Sequence, residues 1–287
     1  MKQNQQQAQL PQHQNKQPGL ESLMNPKPKF VDSAYKGSGK LQGKTALITG
    51  GDSGIGKAVA VAFAKEGANV AIAYLDEHED AEETKRVVEQ AGTKCILISG
   101  DLSDEKHCET AVETTVSQLG RLNIVVNNLA QQYPQQGLEN ITAEQWEKTF
   151  RINVFSYFYV TKAALKHLKQ GDTIINTASI TAYQGHEELI DYSSTKGAIV
   201  TFTRSLAKSL VKKGIRVNGV APGPIWTPLI PASFDSQQVA QFGTDVPMGR
   251  AGQPFELAPA YVYLASGDST YVTGQMIHIN GGVVING

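Results

Sequence analysis

Cysteine is scarce in this chain: two among 287 residues, Cys95 and Cys108. Both fall in stretches that read as core strand and helix, with neither the spacing of a zinc knuckle nor the density of a disulfide framework. A reducing cytoplasm is the expectation. An excess of one charge is lacking too. Lys and Arg number 26 against 27 Asp and Glu, a formal net charge of -1, so no broad basic field draws nucleic acid or an anionic membrane. No apolar run approaches the roughly 18 residues of a membrane span, and the opening "MKQNQQQAQLPQHQNKQPG" has no apolar signal core. Export by the usual signal is not expected. A small-molecule partner is, in a chain with 40% hydrophobic residues and the length for one full-sized core.

The first seventeen residues include eight Gln and almost no large apolar groups, so on their own they do not offset the entropy of becoming ordered. From Leu20 to Val31, "LESLMNPKPKFV" sets Leu, Met and Phe between prolines. It reads either as a disordered linker or as an extended strap lying on a surface, that of a neighbouring subunit included. Residues 1–43 are therefore an arm, and 44–287 the folded domain. Within that domain "KTALITG", "NVAIAYL", "KCILISG", "LNIVVNN", "DTIINTA" and "IRVNGVAPG" are short β-rich apolar runs separated by stretches of helical periodicity. Strands this apolar are covered on both faces, and strands alternating with helices imply right-handed βαβ crossovers. The fold class is α/β, a doubly wound parallel sheet of Rossmann type.

The first strand runs into "TGGDSGIG", Thr49 to Gly56. Glycines at 50, 54 and 56 allow a tight turn and let the backbone approach a pyrophosphate at the positive end of the following helix. A plain βα connection would show similar letters. Later, "DYSSTKGAIV" places Tyr192 and Lys196 four residues apart on one helix, about 6 Å along its axis and on one face. A free phenol has a pKa near 10, and an adjacent fixed cation lowers such a value by about 1 to 3 units. The lysine is expected to make Tyr192 a proton acceptor; taken alone, the pair also suits an amphipathic helix with a snorkelling lysine. Ser179 follows the run "TIINTA", at the carboxyl end of a strand, where open α/β sheets place their ligands.

TGxxxGxG at Thr49 to Gly56, Asp101 with Leu102, Asn127 with Asn128, Asn153, Ser179, Tyr192 with Lys196, and "PGPIWT" from Pro222 to Thr227 together resemble the short-chain dehydrogenase/reductase family. The match spans about residues 44 to 287. With its Gln/Pro-rich arm the chain further resembles a bacterial subgroup labelled general stress protein or glucose/ribitol dehydrogenase-like. The resemblance implies hydride transfer between a nicotinamide cofactor and a carbinol or carbonyl carbon. Tyr192 would carry the proton, Ser179 would hold the substrate oxygen, Lys196 would also hold the nicotinamide ribose, and Asn153 would help link the lysine to solvent. It implies cofactor contacts at Gly50, Asp52, Ser53, Gly54, Ile55 and Gly56 in the turn and at Tyr74, Leu75 and Asp76 after strand two. Asp101 and Leu102 would flank the adenine, with Asn128, Ala130, Thr177, Pro222, Gly223, Ile225 and Thr227 along the rest of the dinucleotide. One departure stands out: the family's "NNAG" is here Asn127-Asn128-Leu129-Ala130, where larger side chains crowd a place of close approach.

No cation at the expected positions awaits a 2'-phosphate, and Asp76 would repel one, so NAD is favoured over NADP. Gln131, Gln184 and Trp226, with Ser179, are expected to border the substrate pocket. Gln132, His186 and Glu187 add a polar rim that suits a sugar or polyol, though solvated loops contain the same residue types. "PIWTPLIPASFDSQQVAQFG" reads as a lid with a short helix, closed by Trp226 or Phe234. No metal is expected, since His167 and His278 lack ligand spacing. Enoyl reductases of the same fold typically space their tyrosine and lysine seven apart, which argues against that chemistry here. A dinucleotide sensor or scaffold without catalysis remains the alternative. The helices from Trp146 to Leu168 and from Ser194 to Val211 are apolar on more than one face, "FSYFYV" most clearly, which suggests burial against another chain. The family resemblance, whose members often pair these two helices into a dimer that doubles, implies a homotetramer.

Overall fold

The computed structural model describes residues 9–283; residues 1–8, the front of the Gln-rich arm, and 284–287 lie outside it. Seven strands form one sheet: β1 (Thr45–Thr49), β2 (Asn69–Tyr74), β3 (Cys95–Ser99), β4 (Ile124–Asn127), β5 (Thr173–Thr177), β6 (Arg216–Pro222) and β7 (Met276–Ile279). Their order is β3-β2-β1-β4-β5-β6-β7 and every pairing is parallel. β1, β4 and β5 are buried at every position. The alternation of side chains along a strand explains how. In β1, Ala46 and Ile48 pack under the helices α1 (Gly54–Lys65), α2 (His78–Gln90) and α9 (Pro254–Ala265). Leu47 faces the other way, toward α3 (Glu105–Leu119), α5 (Ser156–Ala164) and α7 (Ile190–Leu210). The result is a single α/β domain, a doubly wound parallel sheet. Its strand order reverses between β1 and β4, which opens a crevice at the strands' carboxyl ends.

The helix expected from Trp146 to Leu168 is three pieces. α4 (Ala143–Phe150) passes through a π-helical turn, Arg151–Phe155, into α5. Asn153 sits in that wide turn, fully buried: its Oδ1 accepts from the Gln131 amide at 2.9 Å, and its Nδ2 donates to the Gln131 carbonyl at 2.8 Å and to Thr195 Oγ1 at 3.2 Å. One extra residue in a helical turn points a side chain where a regular helix would not, and such turns recur at functional sites. Asp191 in the first turn of α7 meets that helix's positive end. Its carboxylate accepts from Thr149 Oγ1 (2.7 Å), Gln145 Nε2 (3.0 Å) and the Tyr192 amide (2.8 Å), tying α4 to the start of α7.

Residues 9–43 run across the chain's own domain, with a short 3-10 helix at Glu21–Leu23. Asp80 of α2 accepts from the amides of Glu21 (2.6 Å) and Ser22 (3.1 Å). In return, Glu21 accepts from Lys57 Nζ at 2.7 Å and from the Gly54 amide at 2.9 Å, so its carboxylate caps the N-terminus of α1. Among the described residues, no helix is long and apolar enough to cross a membrane.

Candidate active site

The crevice holds two cavities. The first, about 310 Å³, lies over the glycine turn and is walled by Asp52, Ser53, Gly54, Tyr74, Leu75, Asp101 and Leu102 among others. The second, about 680 Å³, contains Ser179, Tyr192, Lys196, Pro222, Gly223 and Ile225. Ile55, Asn128, Ala130, Thr227 and Leu229 line both, so the two form one elongated cleft. Its volume is in the range of small-molecule sites.

The glycine turn is shaped by contacts a side chain would break. A Cβ at Gly56 would stand 1.9 Å from the Gly50 carbonyl oxygen, and one at Gly50, whose φ is +63°, would meet Leu129 Cα at 3.1 Å. The departure from "NNAG" is thus accommodated: Leu129 packs against Gly50, and Ala130 faces the cleft. We expect Gly56→Ala to push α1 away from β1 and weaken dinucleotide binding more than tenfold, since the backbone could no longer approach a pyrophosphate. Isothermal titration checks this; unaltered affinity would mean that the turn does not hold the ligand.

At the end of β5, Thr177 joins the parts of the second cavity. Its carbonyl accepts from Lys196 Nζ (3.0 Å) and Tyr157 Oη (3.1 Å), and its hydroxyl lies 2.7 Å from Tyr261 Oη and donates to Asn128 Oδ1 at 3.3 Å. Asn128 in turn donates to the carbonyls of Thr49 and Gly50, so the ends of β1, β4 and β5 are mutually fixed. Lys196 Nζ lies 5.4 Å from the centre of the Tyr192 ring and 5.8 Å from that of Tyr157. Ser179 Oγ accepts from the Thr181 amide and is 3.1 Å from Thr181 Oγ1. Burial pushes the Tyr192 phenol up to about 12, with the Ser179 hydroxyl pulling the other way, and burial pushes the Lys196 ammonium down to about 7. The expected depression of the phenol by its lysine is therefore not what the protein produces alone: both groups are shifted toward neutrality.

Other expected contacts need correcting. Trp226 does not border the substrate cavity. It is wholly buried against Met24, Ile230, Val239 and Ala251, and its indole N–H donates to the Pro26 carbonyl at 2.8 Å. Phe234, the other lid candidate, does line the cavity, followed by the helix α8 (Ser236–Gln241). Gln131 walls the first cavity rather than the second, its backbone held by Asn153 and its side chain accepting from Tyr133 Oη. Gln184 lines the second cavity, with Gln132, His186 and Glu188. Asp76 does not line the cavity itself but pairs at its edge with Lys16 Nζ at 2.5 Å, next to the lining residues Gln17 and Glu77. The carboxyl that faces the cleft there is Glu77, with burial and the nearby Asp52 raising it to about 7. Its Oε1 is buried and has no hydrogen-bond partner among the described residues, so it holds a lone pair ready for a ligand's hydroxyl or amine. The glycine cradle and this orphan acceptor fit the ribose and adenine end of a dinucleotide.

Sequence reasoning missed Tyr157, Asp191, Glu77 and the arm. Tyr157 was hidden inside "FSYFYV": it points inward, while Phe155 and Phe158 are exposed. Gln17, Pro18 and Gly19 of the arm wall the first cavity, and nothing in a Gln-rich stretch signals that. The two cysteines are buried and free, each thiol pushed up to about 12 by burial.

A short-chain dehydrogenase from Burkholderia cenocepacia, solved in complex with NADP, superposes with a TM-score of 0.79 at 31% identity, covering 85% of this chain and 98% of that one. A family model described as "Enoyl-(Acyl carrier protein) reductase" matches residues 50–284. The chain belongs to the short-chain dehydrogenase/reductase family and is an oxidoreductase. Among its relatives, General stress protein 39 of Bacillus subtilis is 60% identical, with 94% of this chain and 95% of that protein covered. A glucose and ribitol dehydrogenase of Daucus carota is 52% identical (96% and 97% covered). An NADPH-dependent aldehyde reductase of Arabidopsis thaliana, described as chloroplastic, is also 52% identical (96% and 98% covered).

Proposed function

We propose that this protein moves a hydride between a nicotinamide dinucleotide and a small polar carbinol or carbonyl compound, a sugar, polyol or aldehyde, with Tyr192 passing the proton. The observation that carries this reading is that Ser179, Tyr192 and Lys196 wall one cavity that opens directly onto the glycine-turn cleft. The dinucleotide, held by the turn, Asn128, Thr177, Ile225 and Thr227, supplies the hydride acceptor or donor and, when oxidised, a positive ring. Ser179 orients the substrate oxygen against the phenol. Lys196 donates toward Thr177 and the ribose side, and Asn153 holds the wide turn beside it. Gln132, Gln184, His186 and Glu188 give the cavity polar lining beside the apolar Phe234 and Phe242, which suits a hydroxylated substrate. The names of the carrot and Arabidopsis relatives support the same classes. The four-residue spacing of Tyr192 and Lys196 supports carbinol chemistry over enoyl reduction. Exposed Phe155 and Phe158 on and beside α5 support a homotetramer, which light scattering reads directly.

The test is to incubate the protein with NAD+ or NADP+ against sugars, polyols and simple alcohols, and with the reduced forms against aldehydes, following absorbance of the reduced cofactor. Binding of a dinucleotide without turnover of any substrate would favour a sensor. The pH profile adds a second readout. Burial holds the phenol above its ordinary value, so its deprotonated form is a minority that grows tenfold per pH unit. Carbinol oxidation, which uses the deprotonated phenol, should therefore rise with pH from the acid side, while reduction, which uses the protonated phenol, should not. Oxidation rates flat with pH would remove Tyr192 as the base.

A further inference from the structure

The arm crosses the cleft at the adenosine end. Gln14 donates its amide to the Pro231 carbonyl at 2.7 Å. Gln17 bonds the backbone of Gln132 on both sides, its Oε1 accepting from the amide at 3.2 Å and its Nε2 donating to the carbonyl. Gly19 is pressed so closely to the lid that a Cβ there would lie 2.5 Å from the Pro228 carbonyl oxygen. Residue 16 is thus fixed between two anchored neighbours. Its ammonium is brought to Asp76, two residues beyond the end of β2, where an acid meets the 2'-hydroxyl of NAD and a cation meets the 2'-phosphate of NADP.

On the proposed reading that the cleft binds a nicotinamide dinucleotide, we propose that Lys16 of the arm is the residue that selects NADP over NAD, cancelling the charge of Asp76 and facing the 2'-phosphate. The charges around the position support this. Asp76 is balanced by Lys16, and the other carboxyl at the strand's end, Glu77, is held partly neutral by burial near pH 7. With Lys16 in place, that corner is open to an anion. Without it, an unpaired carboxylate stands there and repels one. The selecting cation would then come from outside the Rossmann core, some sixty positions before the acid it answers, and this revises the preference for NAD drawn from Asp76 alone.

Both side chains are half exposed, so substitutions leave the core intact. The experiment measures NADPH and NADH binding to the full-length protein by fluorescence titration. The parent chain should bind NADPH more tightly. Lys16→Ala should weaken NADPH about tenfold while moving NADH less than twofold, as expected for one lost charge contact near the surface. Lys16→Ala with Asp76→Asn should recover most of the NADPH loss, because the repelling carboxylate is gone. An equal change for both nucleotides, or none for NADPH, would overturn the assignment of Lys16. Failure of the parent chain to bind either nucleotide would instead overturn the dinucleotide reading on which it rests.

Discussion

Tyr192→Phe is expected to lower kcat/KM by about a thousandfold or more, the scale of a lost general acid/base, with dinucleotide affinity nearly unchanged. The ring stays, so the packing beside Lys196 stays; only the hydroxyl near Ser179 is lost. The residue is nine-tenths buried, and phenylalanine leaves no cavity, so the melting temperature should hold. This split between turnover and binding separates a proton carrier from a residue that merely shapes the pocket. Turnover within about tenfold of the parent would transfer the role to another group.

The largest stability effect is expected at Lys57. Its ammonium is wholly buried, 2.7 Å from Glu21 and 2.8 Å from Glu83, and lies 4.3 Å from the centre of the Phe30 ring. Lys57→Met removes the cation paired with Glu21 and leaves that carboxylate beside Asp80. Breaking a buried pair in this way costs about 3–5 kcal/mol, or a fall of about 10 °C in melting temperature for a chain of this size. Burial already raises the Glu21 carboxyl, with Lys57 opposing it. In the variant only the Gly54 amide still opposes burial, so the folded-state value lies further above the unfolded one. The deficit should therefore grow as pH rises past the unfolded carboxyl range and shrink as it falls. Adding Glu21→Gln should recover part of the loss. A melting temperature within about 2 °C of the parent at neutral pH would show that Lys57 does not hold the strap to α1.

Much of the site was legible because its signals are local. Tyr192 and Lys196 are a turn apart on one helix, Ser179 follows an apolar strand, and the glycines stand between a strand and a helix; each position follows from spacing of 1.5 Å or 3.3 Å per residue. The parallel sheet was legible for the same reason, in runs too apolar for a half-exposed strand. The pKa directions were not. One-turn spacing suggested a cation lowering a phenol, but burial of both groups outweighs that attraction in the protein alone. Nor was the side of the sheet on which "FSYFYV" buries Tyr157, because a π-helical turn just before it shifts the register of the face.

Sequence by itself determined the α/β order, the glycine cradle and the residues gathered at the strand ends, since these depend on patterns within a few residues of one another. Only the tertiary structure decided that Trp226 anchors the arm instead of closing the pocket, that Glu21 caps α1 and pairs with Lys57, and that Asp76 is answered by Lys16. Each of those joins positions tens to hundreds of residues apart whose own letters carry no mark of the partner, and only packing of the whole chain brings them within hydrogen-bonding reach.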